Sequence, residues 1–319
     1  MLPLADPVLV TGAAGFAGSH LVELLARLGH SPTGWKRSGS IPAGMASIQW
    51  QTVDVLDSDA VTRAIAQWRP AVVFHCAGAA HVGRSWSEAR ETLATNVLGT
   101  HNLLNALRVA KLNARVLVPG SAMVYRQSDR AIGEDDPIQP VSPYALSKLA
   151  QEMLGCRAME EDGQLVMLTR SFNHTGPRHA PSYAAPGFAR QIALIEAGRE
   201  APVIQVGNLD ARRDLTDVRD TVRAYIHLVE KGRPGIAYNV CSGRAHRIGD
   251  LLERLIQKSR VPVEVRVDPS RYRPNDVPLV LGNPERIERD VGWRPTISID
   301  QTLTDLLEYW RKTVAMTTS

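Results

Sequence analysis

The sequence contains few cysteines and no long apolar run. Only three cysteines occur in 319 residues, and Cys76, Cys156 and Cys241 are far apart and form no CxxC pair. An odd, scattered set is typical of buried thiols in a reducing compartment, and it argues against a disulfide scaffold or a zinc site. The apolar stretches are too short to cross a bilayer, and no basic-then-apolar leader opens the chain. We therefore expect a cytoplasmic protein with no metal and no membrane partner.

The charge of the chain is also close to balanced. Lys and Arg number 37 and Asp and Glu number 33, which gives a net charge of +4. The sequence has no basic run and no basic patch interleaved with aromatic residues, so a nucleic-acid partner is not expected. A small anionic ligand needs only a few local basic groups. With 44% hydrophobic residues, the length suits a large core in a compact body of two lobes.

A glycine-rich segment near the N-terminus has the spacing and the flanks of a dinucleotide-binding turn. Residues 7–10 read as a buried strand, and residues 19–28 are apolar at helical spacing. The GxxGxxG-type segment between them contributes the candidate cofactor contacts Gly12, Gly15, Phe16, Ala17 and Gly18. Gly12 permits a tight turn, Gly15 lets a pyrophosphate approach the backbone, and Gly18 lets the helix pack on the sheet. A glycine turn that only packs is the alternative, but both flanks favour a nucleotide site.

Two basic residues follow the second predicted strand, which lies near 31–35. An NAD-specific site usually places a carboxylate there, on the ribose hydroxyls of the adenosine. This chain has Lys36 and Arg37 instead, and both would attract a ribose 2′-phosphate. We therefore expect NADP(H) as the preferred cofactor and NAD(H) as the second choice. A solvated basic loop is the alternative that needs no ligand.

Further strands alternate with helices along the first half of the chain. Strands are predicted at 48–53, 71–75, 115–119 and 165–170, and a long helix at about 88–109. This alternation predicts an α/β fold, a Rossmann-type doubly wound parallel sheet with a smaller C-terminal lobe. Ligands of such sheets bind beyond the carboxyl ends of the strands.

The chain divides into a cofactor half and a substrate half. No repeat or low-complexity tract interrupts the alternation in the first half. We predict an NADP-binding Rossmann domain at 1–170, to which 213–243 returns. The remaining segments, 171–212 and 244–319, are expected to form the smaller lobe that binds the substrate.

A tyrosine and a lysine lie four residues apart at a predicted helix start. Ser142 can cap this helix and Pro143 suits its first turn. Tyr144 and Lys148 then share one helical face. Because an ammonium group beside a phenol favours the phenolate, we expect the lysine to lower the tyrosine pKa and let it exchange protons near neutral pH. The pair alone is a weak signal, since the same spacing also arises by chance.

A partner hydroxyl for this pair is present in Ser121, which follows the strand at 115–119 and should reach the edge of the sheet where the glycine-rich turn lies. With it, the chain resembles the extended short-chain dehydrogenases/reductases. The resemblance rests on 11–18, 121–125 and 144–148, together with Asp54, Val55 and Asn96. It implies that Ser121, Tyr144 and Lys148 are catalytic: the serine binds the substrate oxygen, the tyrosine exchanges the proton, and the lysine holds the nicotinamide ribose. The further cofactor contacts that it implies are Asp54, Val55, Ala77, Gly78, Ala79, Asn96 and Phe172.

The second half of the chain resembles the nucleotide-sugar branch of that family. The segments that carry the likeness are 170–178, 187–192, 206–220, 238–243, 273–277 and 292–295. The resemblance implies a GDP-linked 4-keto-6-deoxyhexose as the substrate, and a homodimer formed through the helices at about 88–109 and 143–160. The substrate contacts that it implies are Ser121, Met123, Asn173, Arg190, Arg213, Arg273 and Asp276. Guanidinium groups suit phosphate oxygens, although each single arginine has a surface salt bridge as its alternative.

Two residues next to the serine decide between reactions. Dehydratases of this family carry carboxylates just after the catalytic Ser or Thr, whereas this chain has Ala122 and Met123, which cannot move protons. The resemblance therefore implies NADPH-dependent reduction of the C4 keto group of GDP-4-keto-6-deoxy-D-mannose to GDP-D-rhamnose. Two alternatives stay open: a nucleotide-sugar 4-epimerase, which uses the same three residues with bound NAD, and a nucleotide-sensing regulator without activity. A nucleotide-sugar 4,6-dehydratase is less favoured than the epimerase.

Overall fold

The computed structural model describes residues 4–39, 41, 45, 48–271 and 277–316. In chain order the strands are β1 (Val8–Thr11), β2 (Thr33–Lys36), β3 (Gln49–Thr52), β4 (Val72–His75), β5 (Arg115–Ser121), β6 (Leu165–Ser171), β7 (Asn173–Thr175), β8 (Val203–Val206), β9 (Arg212–Asp217), β10 (Ala237–Val240), β11 (Ala245–Arg247), β12 (Glu264–Val267) and β13 (Leu279–Val280). The α-helices are α1 (Phe16–Arg27), α2 (Ser58–Trp68), α3 (Ala89–Leu93), α4 (Gly99–Val109), α5 (Pro143–Asp162), α6 (Ala184–Glu196), α7 (Val218–Lys231), α8 (Ile248–Ile256), α9 (Glu285–Val291) and α10 (Ile299–Met316).

A seven-stranded parallel sheet forms the centre of the first lobe. Its strand order is β10-β6-β5-β4-β1-β2-β3, which confirms the predicted doubly wound sheet. β1 and β4 are buried along their whole length and are apolar nearly throughout, as expected for parallel strands covered on both faces. The strand order reverses between β1 and β4, and this reversal opens a crevice at the carboxyl ends of the strands.

Helices cover both faces of the sheet. On one face α1 packs beside α7 and buries Leu21 and Leu25 completely. On the other face α2, α4 and α5 pack together and bury Ile65, Leu103 and Leu107. Each such side chain stabilises the fold by about 1.5–3 kcal/mol relative to an exposed one. The two helical layers therefore hold the strand ends in fixed positions.

The second lobe has a core of its own, built by α6, α8 and α10. Phe188, Ile192, Leu251, Leu306 and Trp310 meet there. A small sheet beside it joins β9 to β7, β11 and β13, and β12 pairs with β8. The domain limits predicted from the sequence stay a prediction.

Two helix starts explain how the sequence positions the site. α1 begins at Phe16, three residues before the predicted start, because the extended Gly15 serves as its N-cap. α5 begins at Pro143, and the Ser142 hydroxyl oxygen accepts the N–H of Ala145 at 3.1 Å, as predicted.

The long helix predicted at 88–109 is continuous, but a wide π turn at 94–98 joins α3 to α4. Such turns often occur at functional sites.

The cysteines are unpaired thiols in this fold. Cys241 is buried, and Cys76 and Cys156 are half-buried. Burial raises the pKa of all three, to about 12 for Cys76, so they stay protonated near neutral pH. Within the described residues, no helix combines the length and apolar character needed to span a membrane.

Replacing Gly18 by Ala tests the close packing of the glycine-rich turn. A Cβ at this position would lie 2.2 Å from the carbonyl oxygen of Gly12, a backbone atom that cannot swing aside. We expect the free energy of unfolding, measured in urea, to fall by about 1–3 kcal/mol, as at other overpacked sites. Gly133→Ala is the control, because a Cβ there would meet nothing closer than 3.9 Å. Equal stability of the two variants would contradict this account of the turn.

Candidate active site

Ser121 lies at the carboxyl end of β5, between the ends of β4 and β6. The chain turns sharply after it, through a 3₁₀ turn at 122–124. The serine hydroxyl oxygen accepts the N–H of Met123 at 3.2 Å in this turn. This contact holds the buried side chain in one orientation and leaves its O–H group available as a donor.

Tyr144 lies in the first turn of α5, where its phenol is hydrogen-bonded to Ser121. Burial raises the pKa of Tyr144 to about 12, and the hydrogen bond to Ser121 offsets only part of this increase. The lowered tyrosine pKa expected from the sequence is therefore wrong, because desolvation outweighs any attraction to the ammonium of Lys148. A protonated phenol is the form that donates a proton to a carbonyl oxygen.

Lys148 lies one turn further along α5 and is buried. Its ammonium donates hydrogen bonds to the Pro119 carbonyl oxygen at 2.9 Å and to Gln151 Oε1 at 2.8 Å. Burial lowers the pKa of Lys148 to about 8, so it carries its charge at neutral pH and loses it as the pH rises through this value. Two of its three N–H groups are used, and one remains for a ligand. The partner Gln151 was not predicted from the sequence, although its place three residues after Lys148 puts both on one helical face.

Asn96 holds the loop that follows β4. Its Oδ1 accepts the N–H of Ala79 at 2.8 Å, and its Nδ2 donates to the Ala79 carbonyl at 3.1 Å and to Ser147 Oγ at 2.8 Å. A Cβ on Gly78 would come within 2.9 Å of Asn96 Oδ1. The small residues 77–79 thus lie against Asn96 and leave room for a ligand along the backbone.

The glycine-rich turn fits a dinucleotide pyrophosphate. Gly12 has a φ of +62°, and a Cβ there would lie 2.6 Å from the backbone nitrogen of Ala77. The N–H of Gly15 donates to the Gly12 carbonyl at 2.9 Å, which closes the turn. Gly15 provides no side-chain cap to α1, and the first N–H groups of any helix lack partners inside it. The positive end of α1 can therefore receive an anionic group.

The residues predicted for the adenosine end lie beyond β2 and β3. Lys36 is the last residue of β2, and its ammonium donates a hydrogen bond to the Gly39 carbonyl at 2.5 Å. Arg37, the next residue, is exposed. Asp54 follows β3, and its carboxylate accepts the N–H of Leu56 at 3.0 Å. Val55 is buried beside this turn. These residues follow the two strands on one side of β1, since β2 pairs with β1 and β3 pairs with β2 in the sheet.

A cavity of about 1400 Å³ extends from Ser121, Tyr144 and Lys148 into the second lobe. The predicted site residues that line it are Phe16, Ala17, Gly78, Ser121, Met123, Tyr144, Lys148, Phe172, Asn173 and Arg213. Arg190 does not line it, because this position of α6 faces away and is exposed. Arg273 and Asp276 lie outside the described residues.

The charges around this cavity have one sign. Arg84, Lys148, Arg178 and Arg213 line it, and none of the lining residues that the structure describes is Asp or Glu. Arg213 Nη1 donates to the Val277 carbonyl at 2.6 Å, which places its guanidinium at the wall. A cavity lined in this way favours an anionic ligand.

An aromatic stack that was not predicted covers the glycine-rich turn. His179 stacks on Phe16 with 4.2 Å between ring centroids, and Tyr183 stacks on His179 at the same distance. The Tyr183 hydroxyl donates to the Ala80 carbonyl at 3.2 Å. The segment 177–183 thus bridges α1 and the loop after β4. No spacing in the sequence marks this stack, since Phe16 is far along the chain from His179 and Tyr183.

These features define the class of the protein. A protonated tyrosine, a serine hydroxyl and a buried ammonium lie beyond the strand ends of a nucleotide-binding doubly wound sheet, in the arrangement of an NAD(P)-dependent oxidoreductase. Residues 9–306 match the family model described as GDP-mannose 4,6 dehydratase. The chain therefore belongs to this family of extended short-chain dehydrogenases/reductases, as its sequence predicted.

Individual relatives cover almost the whole chain. The GDP-6-deoxy-D-mannose reductase of Pseudomonas aeruginosa is 36% identical over 98% of this chain and 99% of its own length. The solved structure of RMD from Pseudomonas aeruginosa, complexed with NADPH, has a TM-score of 0.85 and 32% identity, over 97% of this chain and all of that one. The UDP-glucose 4-epimerase of Thermotoga maritima with UDP-glucose has a TM-score of 0.85 and 25% identity, over 96% of this chain and 99% of that one.

Replacing Tyr144 by Phe tests the proton donor. We expect the rate of carbonyl reduction to fall roughly 10²–10⁴-fold, because the variant cannot protonate the product oxygen. Binding of the reduced cofactor, followed by nicotinamide fluorescence, should change little. Tyr309→Phe is the control, since Tyr309 is half-buried on α10 in the second lobe and outside the cavity. A Tyr144→Phe enzyme as active as this control would rule out the assigned role.

Proposed function

We propose that the protein reduces the C4 keto group of GDP-4-keto-6-deoxy-D-mannose with NADPH and forms GDP-D-rhamnose. The observation that carries the proposal is a cavity without a carboxylate among its described lining residues. Loss of water from a hexose needs a base at C5 and an acid at the C6 hydroxyl. Ala122 and Met123 stand where dehydratases of the family have carboxylates. Ketone reduction needs only a hydride and one proton, and the catalytic set provides for both.

The catalytic residues divide the proton chemistry between them. NADPH supplies the hydride to C4 when it is bound. Tyr144 gives its phenolic proton to the C4 oxygen, and the O–H of Ser121 donates a hydrogen bond to the same oxygen. The hydride and the proton together convert the ketone to an alcohol. The Lys148 ammonium stabilises the phenolate that remains on Tyr144.

The cationic lining supports a nucleoside diphosphate sugar as the substrate. Arg213 presents a guanidinium group at the cavity wall, and such groups pair well with phosphate oxygens. The guanidinium of Arg178 also lines the cavity but is paired with the Glu23 carboxylate. The identity of the nucleoside rests on the relatives, which include a reductase named for a GDP-sugar. Contacts of Asn173, Arg273 and Asp276 with the substrate stay part of this proposal.

The same proposal includes a homodimer and a cytoplasmic location. Exposed apolar side chains on two helices support the dimer. Leu98 and Val109 lie eleven residues apart on the long helix, and Leu146 and Met153 lie seven residues apart on α5. Either spacing brings two side chains to one face of a helix. The cytoplasmic location rests on the three unpaired thiols.

An assay that measures both the cofactor consumed and the product formed tests the substrate. The protein is mixed with GDP-4-keto-6-deoxy-D-mannose and NADPH, and we expect one NADPH consumed for each GDP-D-rhamnose formed, followed by nicotinamide absorbance and chromatography. GDP-mannose and UDP-glucose serve as controls that should consume no NADPH. Tightly retained NAD with interconversion of UDP-sugars would instead favour the epimerase. Conversion of GDP-mannose to a keto sugar would favour the dehydratase.

Replacing Arg37 by Ala tests the cofactor preference. We expect the KM for NADPH to rise about tenfold and the KM for NADH to stay unchanged, because a charge-assisted bond to the 2′-phosphate is lost. Lys312→Ala is the control, since this exposed lysine lies on α10 in the second lobe. An equal effect on both cofactors would contradict a 2′-phosphate contact at Arg37.

A further inference from the structure

A buried chain of side chains runs from the catalytic lysine to the glycine-rich turn. Lys148 donates to Gln151 Oε1 at 2.8 Å, and Gln151 Nε2 donates to Thr100 Oγ1 at 2.6 Å. Thr100 Oγ1 lies 3.1 Å from His75 Nε2, and His75 Nδ1 lies 2.9 Å from Thr11 Oγ1. Gln151, Thr100 and Thr11 are completely buried, and His75 is nearly so. The chain thus joins α5, α4, β4 and β1 beneath the cavity.

The single hydrogen of Thr100 fixes the direction of these bonds. Its hydroxyl donates to the Asn96 carbonyl at 2.6 Å, so Oγ1 accepts from its other neighbours. His75 must therefore carry its hydrogen on Nε2, and its Nδ1 accepts the O–H of Thr11. Burial and the nearby Lys148 lower the pKa of His75 to about 3, which keeps the ring neutral and allows this arrangement. Thr11 Oγ1 accepts the N–H of Ala77 at 3.1 Å, so each group in the chain has a partner.

The orientation of the Gln151 amide follows from the same constraint. The side-chain N–H of Gln151 donates to Thr100 Oγ1, so the side-chain carbonyl oxygen of Gln151 faces the ammonium of Lys148. A reversed amide would direct N–H groups at a positive charge. The chain of partners therefore forces Gln151 to present an acceptor to the catalytic lysine.

The ammonium of Lys148 has no carboxylate partner in the part of the chain that the structure describes. The titratable groups facing it are Cys76 and His75 at the end of β4 and Tyr144 on its own helix. All three are uncharged near neutral pH, because burial keeps the thiol and the phenol protonated and the imidazole neutral. Pro119 on β5 contributes a backbone carbonyl. The Gln151 carbonyl is thus the side-chain dipole that offsets the burial of this charge.

We propose that Gln151 is a positioning residue that keeps Lys148 charged and in place under the nicotinamide ribose, and that Thr100 and His75 hold Gln151 in the orientation this requires. The inference rests on the proposed NADPH-dependent reduction for the role of Lys148. It adds a residue to that site through its action on the lysine, with no contact to substrate or cofactor.

Opposite changes at Gln151 test this role. Gln151→Met removes the acceptor, and Gln151→Glu keeps an acceptor and adds a negative charge. NADPH affinity is measured by nicotinamide fluorescence from pH 6 to 10 (roughly the range that brackets the Lys148 pKa), without any sugar. For the unchanged protein we expect affinity to fall as the pH rises through about 8. The pH midpoint of this fall in affinity should move down by about one unit in Gln151→Met, and up by about one unit or more in Gln151→Glu.

A second pair of variants separates this role from general damage. Thr100→Val removes the group that orients Gln151, so its midpoint should move down by less than that of Gln151→Met. Gln164→Met is the matched control, because Gln164 is also buried and bonds to the Leu104 carbonyl at 2.8 Å, apart from the chain that holds Lys148. Its midpoint should stay at the unchanged value. The pH above which kcat for the reduction falls should shift among these variants in the same order as the midpoint for NADPH binding.

The outcomes distinguish this inference from the proposed function. Midpoints that do not move, or that move in the same direction for Gln151→Met and Gln151→Glu, overturn the positioning role. An effect of Gln164→Met as large as that of Gln151→Met also overturns it. If the protein binds NADPH with the expected shifts but does not reduce the GDP-keto sugar, the substrate assignment fails and the role of Gln151 stands. If one Gln151 variant fails to fold, the other and Thr100→Val still decide the sign of the shift.

Discussion

The site depends on the ammonium group of Lys148, which is buried with no carboxylate beside it among the residues that the structure describes. Taking such a charge out of water is costly, and only fixed dipoles at short range can offset the cost. The Pro119 carbonyl comes from the end of β5 and the Gln151 carbonyl from the next turn of α5. Both must be held at hydrogen-bond distance from the ammonium, which requires the packing of α4 and α5 on the sheet. The hydrophobic layers of the first lobe therefore serve the chemistry as well as the stability of the protein.

The same burial sets the direction of proton transfer. Because Tyr144 is enclosed, its pKa lies near 12 even though the hydrogen bond to Ser121 lowers it, and its proton is retained for donation. The cavity above has cations from four segments and, in its described lining, no carboxylate to act as a competing acid or base. An anionic sugar nucleotide is attracted by this field, and a ketone within it can receive one proton from one donor. The arrangement suits reduction better than dehydration.

Several parts of the site could be predicted from the sequence because they depend on contacts close in the chain. The glycine spacing, the cap at Ser142 and the four-residue separation of Tyr144 and Lys148 are local patterns with local causes. Arg190 shows the limit of such prediction, since a motif gives its position along α6 but the docking of that helix decides which side faces the cavity. The tyrosine pKa shows another limit. Spacing indicates that a charge is near, whereas solvent exclusion depends on every neighbouring segment.

Hydrophobic period and short-range spacing are properties of the chain, and they were enough to predict the alternation of strands and helices and the nucleotide-binding turn. Which groups lose contact with water, and which distant atoms meet, depends on how these elements pack. Gln151, Thr100, His75 and Thr11 are spread over the first half of the chain, and they become one hydrogen-bonded line only where β1, β4, α4 and α5 converge. The stack of Phe16, His179 and Tyr183 forms for the same reason. Desolvation and long-range contact are collective results of packing, and no short segment of sequence contains them.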